Sequence, residues 1–420
     1  MLLQFRASNF MSFKEDVVLD LRASSLHELS AHVTEKGDHR ILKTLAIYGA
    51  NASGKSCLIK ALFTYEQFIH NQMFQDGLNM YEDIDLFLNR KLRLAIEPFA
   101  LESGNNRRIE LEMAFFHADK VFQYGFALCD KNIVSEWLLI EKKKIFEREG
   151  NTVKASRSMP RKEDVPADRL YLSVLDYFST GTMKKMVDEI KDYFKNHFHV
   201  YFFLTLDTGV KGVDFFMDEH RMIMADDLLR AKVAQYIRDI DTGITDLVVD
   251  TISSTSKETG ETTTKKVLRT VHTSYDEAGN EAGQVLFDIE RESSGTIRFI
   301  SYILQAIQLL DKGGVFIIDE LASRFHPLLS RFFIDLFQQA KNKDAQLIFT
   351  THDASLLHKD QFRRDEIAFI DKNGKGESRL FTLADLKVRS DASFSKDYLN
   401  GKYGAIPIIR EELNEYRADG

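Results

Sequence analysis

The stretch LKTLAIYGANASGKS, residues 42–56, decides how the rest of the chain is read. Its first seven residues form a short apolar run, of the length expected for a buried strand. Its last eight, 49–56, match the spacing G-x-x-x-x-G-K-[S/T], and residues 56–72 continue with helical periodicity. Strand, glycine-rich loop and helix in that order make a cradle for phosphate. The glycines let the backbone curl until its amides and the helix N-terminus face the anion. Within the loop Gly49, Asn51, Ala52, Ser53, Gly54 and Cys57 are candidates for wrapping a nucleotide such as ATP. Lys55 is the expected cation for the terminal phosphates, and Ser56 the expected ligand for Mg2+.

Working outward, GVFIIDE at 314–320 is a buried strand ending in two carboxylates. Strand ends at the carboxyl edge are where open α/β sheets bind ligands. Asp319 is therefore expected to hold the magnesium shell and Glu320 to orient and activate water. An amphipathic helix follows at 327–342, then a second buried strand, AQLIFTTH, which ends on His352. Upstream, ERESSGTIRF at 290–299 turns from strand to helix, so Ser293, Ser294 and Gly295 open a helix. Ser294 and Gly295 resemble the signature turn of ABC-type ATPases, a resemblance that implies donation to the terminal phosphate of a nucleotide held by a second subunit; a plain helix cap is the other reading.

The remainder sorts by pattern. Residues 1–21 read as strand, turn, strand, and 22–40 as loop. Four alternating runs between 98 and 145 (PFALES, RRIELEMAFF, VFQYGFALCD, SEWLLIEKK) predict an antiparallel meander. Residues 168–240 read as mainly helical. The histidines and phenylalanines of YFKNHFHVYFFLTL, 193–206, are taken as core rather than ligands. The polar stretch 251–284 reads as a mobile hairpin or loop pair, and 365–383 as another hairpin. Strands alternating with helices imply a mostly parallel, covered sheet. The expected division is 1–165 and 285–420 as one ATPase head, interrupted by a mainly helical insert with a polar hairpin at 166–284.

Composition narrows the setting. The net charge of -8 argues against bulk attraction for nucleic acid. The basic segment 142–162 is interrupted by acidic residues and reads as a solvated hairpin and loop. Two cysteines, Cys57 and Cys129, lie far apart without metal-ligand spacing, which suits a reducing, cytoplasmic protein. No apolar run approaches the ~18 residues of a membrane span.

The order of phosphate loop, long insertion, ESSGT, acidic strand end and histidine resembles the heads of ABC, SMC and RecF-like ATPases. The fold class that follows is α/β: a mixed, mostly parallel sheet with an antiparallel accessory sheet and a helical insert. In ABC-type heads the histidine contacts the γ-phosphate, and the signature serine and glycine complete the site of a second head. YGANASGKS, PFAL, QYGFAL with VSEWL, ESSGT, IIDELASRFHP, FTTHDASLL, RRDEIAFIDK and YLNGKYGAIP together resemble the RloA and AbiL abortive-infection group. That resemblance implies a bacterial anti-phage ATPase that pairs with itself through ATP and works with a separately encoded nuclease or toxin. The chain departs from the pattern at Ala322, where related segments carry an acidic residue. A DNA-repair clamp of the RecF type is the alternative, and it requires a basic channel. A self-sufficient nuclease is disfavoured, since no acidic or His/Asn/His nuclease cluster follows His352.

Overall fold

The structure, a computed structural model, describes residues 1–74, 96–102, 107–130, 132–201, 217–240, 243–255, 262–323 and 325–407. In chain order the strands and helices begin with β1 (Leu2–Ser8), β2 (Val17–Asp20), β3 (Val33–Lys36), β4 (His39–Leu42), β5 (Thr44–Tyr48) and α1 (Lys55–Met73). There follow β6 (Arg108–His117), β7 (Lys120–Cys129), β8 (Asn132–Ile140), β9 (Lys143–Glu149), β10 (Thr152–Ala155), α2 (Tyr171–Phe178), α3 (Gly181–Asp192) and β11 (Phe198–Tyr201). Next come α4 (Met217–Ala225), α5 (Asp227–Asp239), β12 (Ile244–Thr255), β13 (Thr262–Tyr275), β14 (Glu281–Asp288) and α6 (Ser294–Lys312). The chain closes with β15 (Gly314–Ile318), α7 (Pro327–Gln338), β16 (Ala345–Thr350), β17 (Ile367–Lys372), β18 (Ser378–Thr382) and α8 (Phe394–Leu399).

Two compact units emerge: one of residues 1–203, 312–323 and 330–420, the other of 204–311 and 324–329. The boundaries thus fall at 203 and 311 rather than at the expected 165 and 284. The physical reason is β11, which pairs in parallel with β15 and so draws the aromatic segment into the sheet of the first unit.

The first unit holds two sheets. One has six strands in the order β11-β15-β16-β5-β17-β18, parallel except for β18. Its central strands β5, β15 and β16 are buried on both faces, as their largely apolar runs require, while the edge strands β11 and β18 are partly exposed. The other has seven antiparallel strands, β10-β9-β8-β7-β6-β1-β2. Helix α1 packs on this second sheet through Tyr65, which stacks on Phe126 at 5.3 Å and donates its hydroxyl to the Tyr124 carbonyl at 2.9 Å. A single apolar cluster takes in α1, the alternate residues Val315 and Ile317 of β15, and Phe5, Phe115 and Phe126 of the antiparallel sheet. Gln346, fully buried in β16, stitches the sheets together. Its side chain accepts from the Leu2 amide at 2.6 Å and donates to the carbonyls of Leu2 and Leu42.

Three local expectations need correction. The 22–40 stretch is not all loop, because β3 pairs with β4 around Gly37, whose φ of 56° suits glycine. PFAL does not begin the meander; Phe99 is buried and its amide donates to the Asn9 side chain at 3.1 Å instead of to a ladder. The polar stretch 251–284 contributes to three paired strands, one more than a hairpin, while residues 168–240, where described, are mainly helical. The second unit, described by itself, combines α4, α5 and most of α6 with a three-stranded antiparallel sheet, β12-β13-β14. Its threonine-rich strands suit a pleated, half-exposed surface better than a loop. Residues 142–162 form the hairpin β9–β10 and its exit, largely exposed as the solvated reading expects, except that Arg148 is fully buried.

Candidate nucleotide site

Strand β16 lies between β5 and β15, so the phosphate loop, the 319–320 carboxylates and the 351–352 segment all leave the sheet at neighbouring carboxyl ends. Gly54 caps α1 at φ 118°, and a Cβ there would lie 2.5 Å from Ser378 Oγ and 2.8 Å from Ser12 Oγ. Only glycine fits that approach. Gly49 is equally confined, by the Ile370 carbonyl and Ser53 Oγ. Ser378 fastens the loop from below, its hydroxyl donating to the Ser53 carbonyl at 2.6 Å and its amide to the Ser12 carbonyl at 2.7 Å. Asn51, Ala52 and Ser56 are exposed at the rim, Ala52 with φ 61°; Ser53 and Lys55 are buried and Cys57 is half-buried.

Lys55 folds back into its own loop, where its Nζ donates to the carbonyls of Gly49 at 2.8 Å and Ala50 at 3.0 Å. Burial pushes its ammonium down to about 8, against the pull of Asp319 and Glu320. The cation is thus held in reserve by two neutral acceptors, an arrangement that a phosphate can outbid electrostatically.

Asp319 is buried, and burial raises its carboxyl above the ordinary value, while hydrogen bonds from the Thr350 and Ser56 hydroxyls act the other way. Thr350 is a bridge: its hydroxyl donates to Asp319 Oδ1 at 2.6 Å and accepts from the Glu320 amide at 2.8 Å. Glu320 sits in the left-handed region, φ 54°, a conformation that costs a non-glycine residue and is held here by that amide contact. Its Oε1 lies 3.5 Å from His352 Nε2. Burial and the Lys55 charge keep His352 below its ordinary value, so the ring is neutral near pH 7.

The pairing of Ser56 with Asp319 is the observation that tests the place for Mg2+. A hydroxyl and a buried carboxylate with few donors form a hard oxygen set, which fits that ion.

Ser293, Ser294 and Gly295 belong to the second unit. Ser293 is the cap of α6: its Oγ accepts from the Thr296 amide at 3.0 Å, which leaves Ser294 and Gly295 in the first turn. Glu292, just before them, is held by Thr270 at 2.5 Å and by His272 at 2.8 Å.

Lys55, Ser56, Asp319, Glu320 and His352 therefore converge, as the motif order predicts. Three contributors escaped the sequence reading: Thr350, Ser12 and Ser378. Thr350 stood in plain view in FTTH, but only pairing across β15 and β16 reveals that its hydroxyl serves both carboxylate residues. Ser12 and Ser378 carry no motif.

A glycine-rich loop opening a helix, with its lysine beside a strand-end Asp-Glu pair, defines a P-loop nucleotide-binding protein of the α/β class. Residues 45–358 match the family described as "AAA domain, putative AbiEii toxin, Type IV TA system", and the chain belongs to that family of AAA-type ATPases. A comparison with curated proteins gave no match. Among solved structures the chain is similar to an SMC head bound to the C-terminal winged-helix domain of ScpA. The identity is 14%, with 92% of this chain and 99% of that one covered and a TM-score of 0.43. It is also similar to the SMC head domain from Thermotoga maritima, at 12% identity, 91% and 98% coverage and a TM-score of 0.40. A third is the SMC head with an extended coiled coil from Pyrococcus furiosus, bound to the C-terminal domain of ScpA: 12% identity, 96% and 99% coverage, TM-score 0.45. Among the described residues no helix is long and apolar enough to cross a membrane.

Proposed function

We propose that this chain is a cytoplasmic regulatory ATPase of a bacterial anti-phage system, closing as a pair of heads on ATP and controlling a separately encoded effector. The observation that carries the nucleotide chemistry is the meeting of Lys55, the Ser56–Asp319 pair and the Glu320–His352 pair at one sheet edge. Lys55 leaves its loop carbonyls for the β- and γ-phosphates, while the amides of 49–57 hold the phosphate chain. Ser56 and Asp319 would hold Mg2+, which would neutralise part of the phosphate charge. Glu320 takes a proton from the attacking water, with its backbone and side chain oriented by Thr350 and His352. Ser294 and Gly295, in a helix-opening turn, reach the nucleotide of a second copy.

The defence role is supported by the family description, which names a toxin of a toxin–antitoxin system, and by the resemblance of the quoted motifs to abortive-infection ATPases. The recognised chemistry-bearing motifs are all taken up by ATP handling, so the lethal activity is placed on another polypeptide. Gel filtration of Glu320→Gln with ATP and magnesium should give a paired species that Gly295→Asp abolishes. Co-expression with the adjacent gene should limit phage growth only when Lys55 and Glu320 are intact. Full protection by Lys55→Ala with its partner would remove ATP as the switch, and nucleic-acid cleavage by the pure chain would remove the separate effector.

A further inference from the structure

Away from the nucleotide site, His117 meets two side chains that lie five residues apart and far from it in sequence, Asp192 and His197, in the first unit. His117 ends β6, Asp192 ends α3, and His197 ends the π-helical turn Tyr193–His197 that leads into β11. His117 Nε2 is 2.9 Å and His197 Nε2 3.3 Å from the same atom, Asp192 Oδ2. The two imidazoles are side by side with ring centres 5.0 Å apart. All three ligand atoms lie within 4.8 Å of one another.

The hydrogen bonds decide what this cluster can be. His197 Nδ1 faces the Gly313 carbonyl at 3.0 Å, an acceptor only, so Nδ1 carries the proton. In neutral His197 the other nitrogen then presents a lone pair to a carboxylate oxygen, two acceptors facing one another with nothing between them to attract both. A proton or a metal ion resolves that opposition, and of the two only a metal ion also engages His117 Nε2 beside the same oxygen. A ring nitrogen fixed by a backbone carbonyl while its partner nitrogen is aimed at a metal is the usual outer-shell arrangement of ligating histidine. Asp192 is similarly steadied, because Asn196 Nδ2 donates to its other oxygen, Oδ1, at 2.8 Å. Tetrahedral zinc with bonds of ~2.0–2.2 Å needs ligand edges of about 3.3 Å. The His197 edge has that length already, and the His117 edge must open by a few tenths of an ångström. Half-buried imidazoles and a partly exposed carboxylate leave an entry path and room for a water as fourth ligand, since 45% of the Asp192 side chain is exposed.

We propose that His117 Nε2, His197 Nε2 and Asp192 Oδ2 form a binding site for a zinc-class divalent transition ion. To offer Nε2 to the ion, neutral His117 moves its proton to Nδ1; a ring protonated on both nitrogens instead releases the Nε2 proton to solvent. Its structural effect follows from the elements joined. It clips the end of the antiparallel β6 to the entry of β11, whose last residue, Tyr201, accepts the Asp319 amide at 3.2 Å. The clip therefore bears on the strand that flanks the carboxylate end of β15.

The full-length chain, stripped with a chelator and dialysed, should bind one equivalent of Zn2+ per chain by calorimetry, and Co2+ should give the visible bands of a low-coordinate site. His117→Ala and His197→Ala should each lose that equivalent, and Asp192→Asn should weaken it. Asn196→Ala, an exposed change that leaves the fold alone, should cost about 10-fold or more in affinity. His199→Ala, two residues from His197 and outside the triad, should bind as the parent does. Circular dichroism of each stripped variant separates lost binding from lost folding, and the Asn196 variant decides the matter should a histidine variant not fold. Absence of binding by the parent chain, or equal stoichiometry and affinity in the His117 and His197 variants, overturns the proposal.

Discussion

The two sheets of the first unit bury charge in opposite ways. In the antiparallel sheet Glu136 and Arg148 are wholly buried and lie 3.6 Å apart. Their remaining capacity is filled. Glu136 accepts from the amides of Tyr171 and Leu172 at the start of α2 and from the Tyr124 hydroxyl. Arg148 donates to the carbonyls of Gly150, Val165, Pro166 and Arg169. At the edge of the parallel sheet, among the described residues, Lys55 donates to two loop carbonyls and Asp319 accepts from the Thr350 and Ser56 hydroxyls. A saturated buried charge holds structure together, whereas an under-satisfied one at a strand end is ready for a ligand.

The largest effect expected from this contrast is on the saturated side. Arg148→Ala strands Glu136 without its partner, a loss of about 3–5 kcal/mol for a broken buried pair, and calorimetric melting should show it. If the variant melts with the parent, the antiparallel network is ornamental and the comparison fails. ATP affinity measured below the melting transition should be unchanged.

On the unsaturated side the signs reverse: large effects on turnover with little change in stability. Glu320→Gln keeps shape but cannot act as a base, so hydrolysis should fall about 100-fold or more while a fluorescent ATP analogue still binds. A variant with near-parental phosphate release would place the base elsewhere.

Thr350→Val sharpens the comparison. It preserves volume but takes a donor from Asp319 and an acceptor from the Glu320 amide, about 1–3 kcal/mol for each group left unpaired. Steady-state turnover should drop about tenfold or more, with circular dichroism unchanged.

The smallest effect is the pH response of Lys55. Its folded value of about 8 lies below the ordinary 10.5, so the ammonium that ATP needs is lost as pH rises through about 8. Affinity should weaken between pH 7 and 9 by at most roughly tenfold. The free protein behaves in the opposite sense. The cost of burying that ammonium is present below pH 8 and is relieved between 8 and 10.5, so its stability term improves with pH. Lys43, also pushed down to about 8 by burial, shares that second trend. Titration of ATP rather than melting is therefore the test, and an affinity flat across this range would contradict a reserved, depressed lysine.

Several motifs legible in the sequence are structural rather than chemical. RRDE supplies Arg363, which grips Asp365 and the carbonyls of Leu26 and Glu28, and Glu366, which accepts from His32 and Thr44. YLNGKYGAIP places Tyr398 and Tyr403 against Phe369, with Tyr398 also packed on Tyr48, the last residue before the phosphate loop. Such residues hold the loop's base without touching its ligand space.

By itself the sequence determined the loop, the strand-end carboxylates and the histidine, because each is a local pattern whose spacing encodes its geometry. The strand order β15-β16-β5, the bridging role of Thr350 and the seating of Gly54 on Ser12 and Ser378 were decided by tertiary structure. So was the meeting of His117 with Asp192 and His197. These depend on which strands pair across long loops, and no spacing along one chain records a hydroxyl or an imidazole brought in from an element far away in sequence.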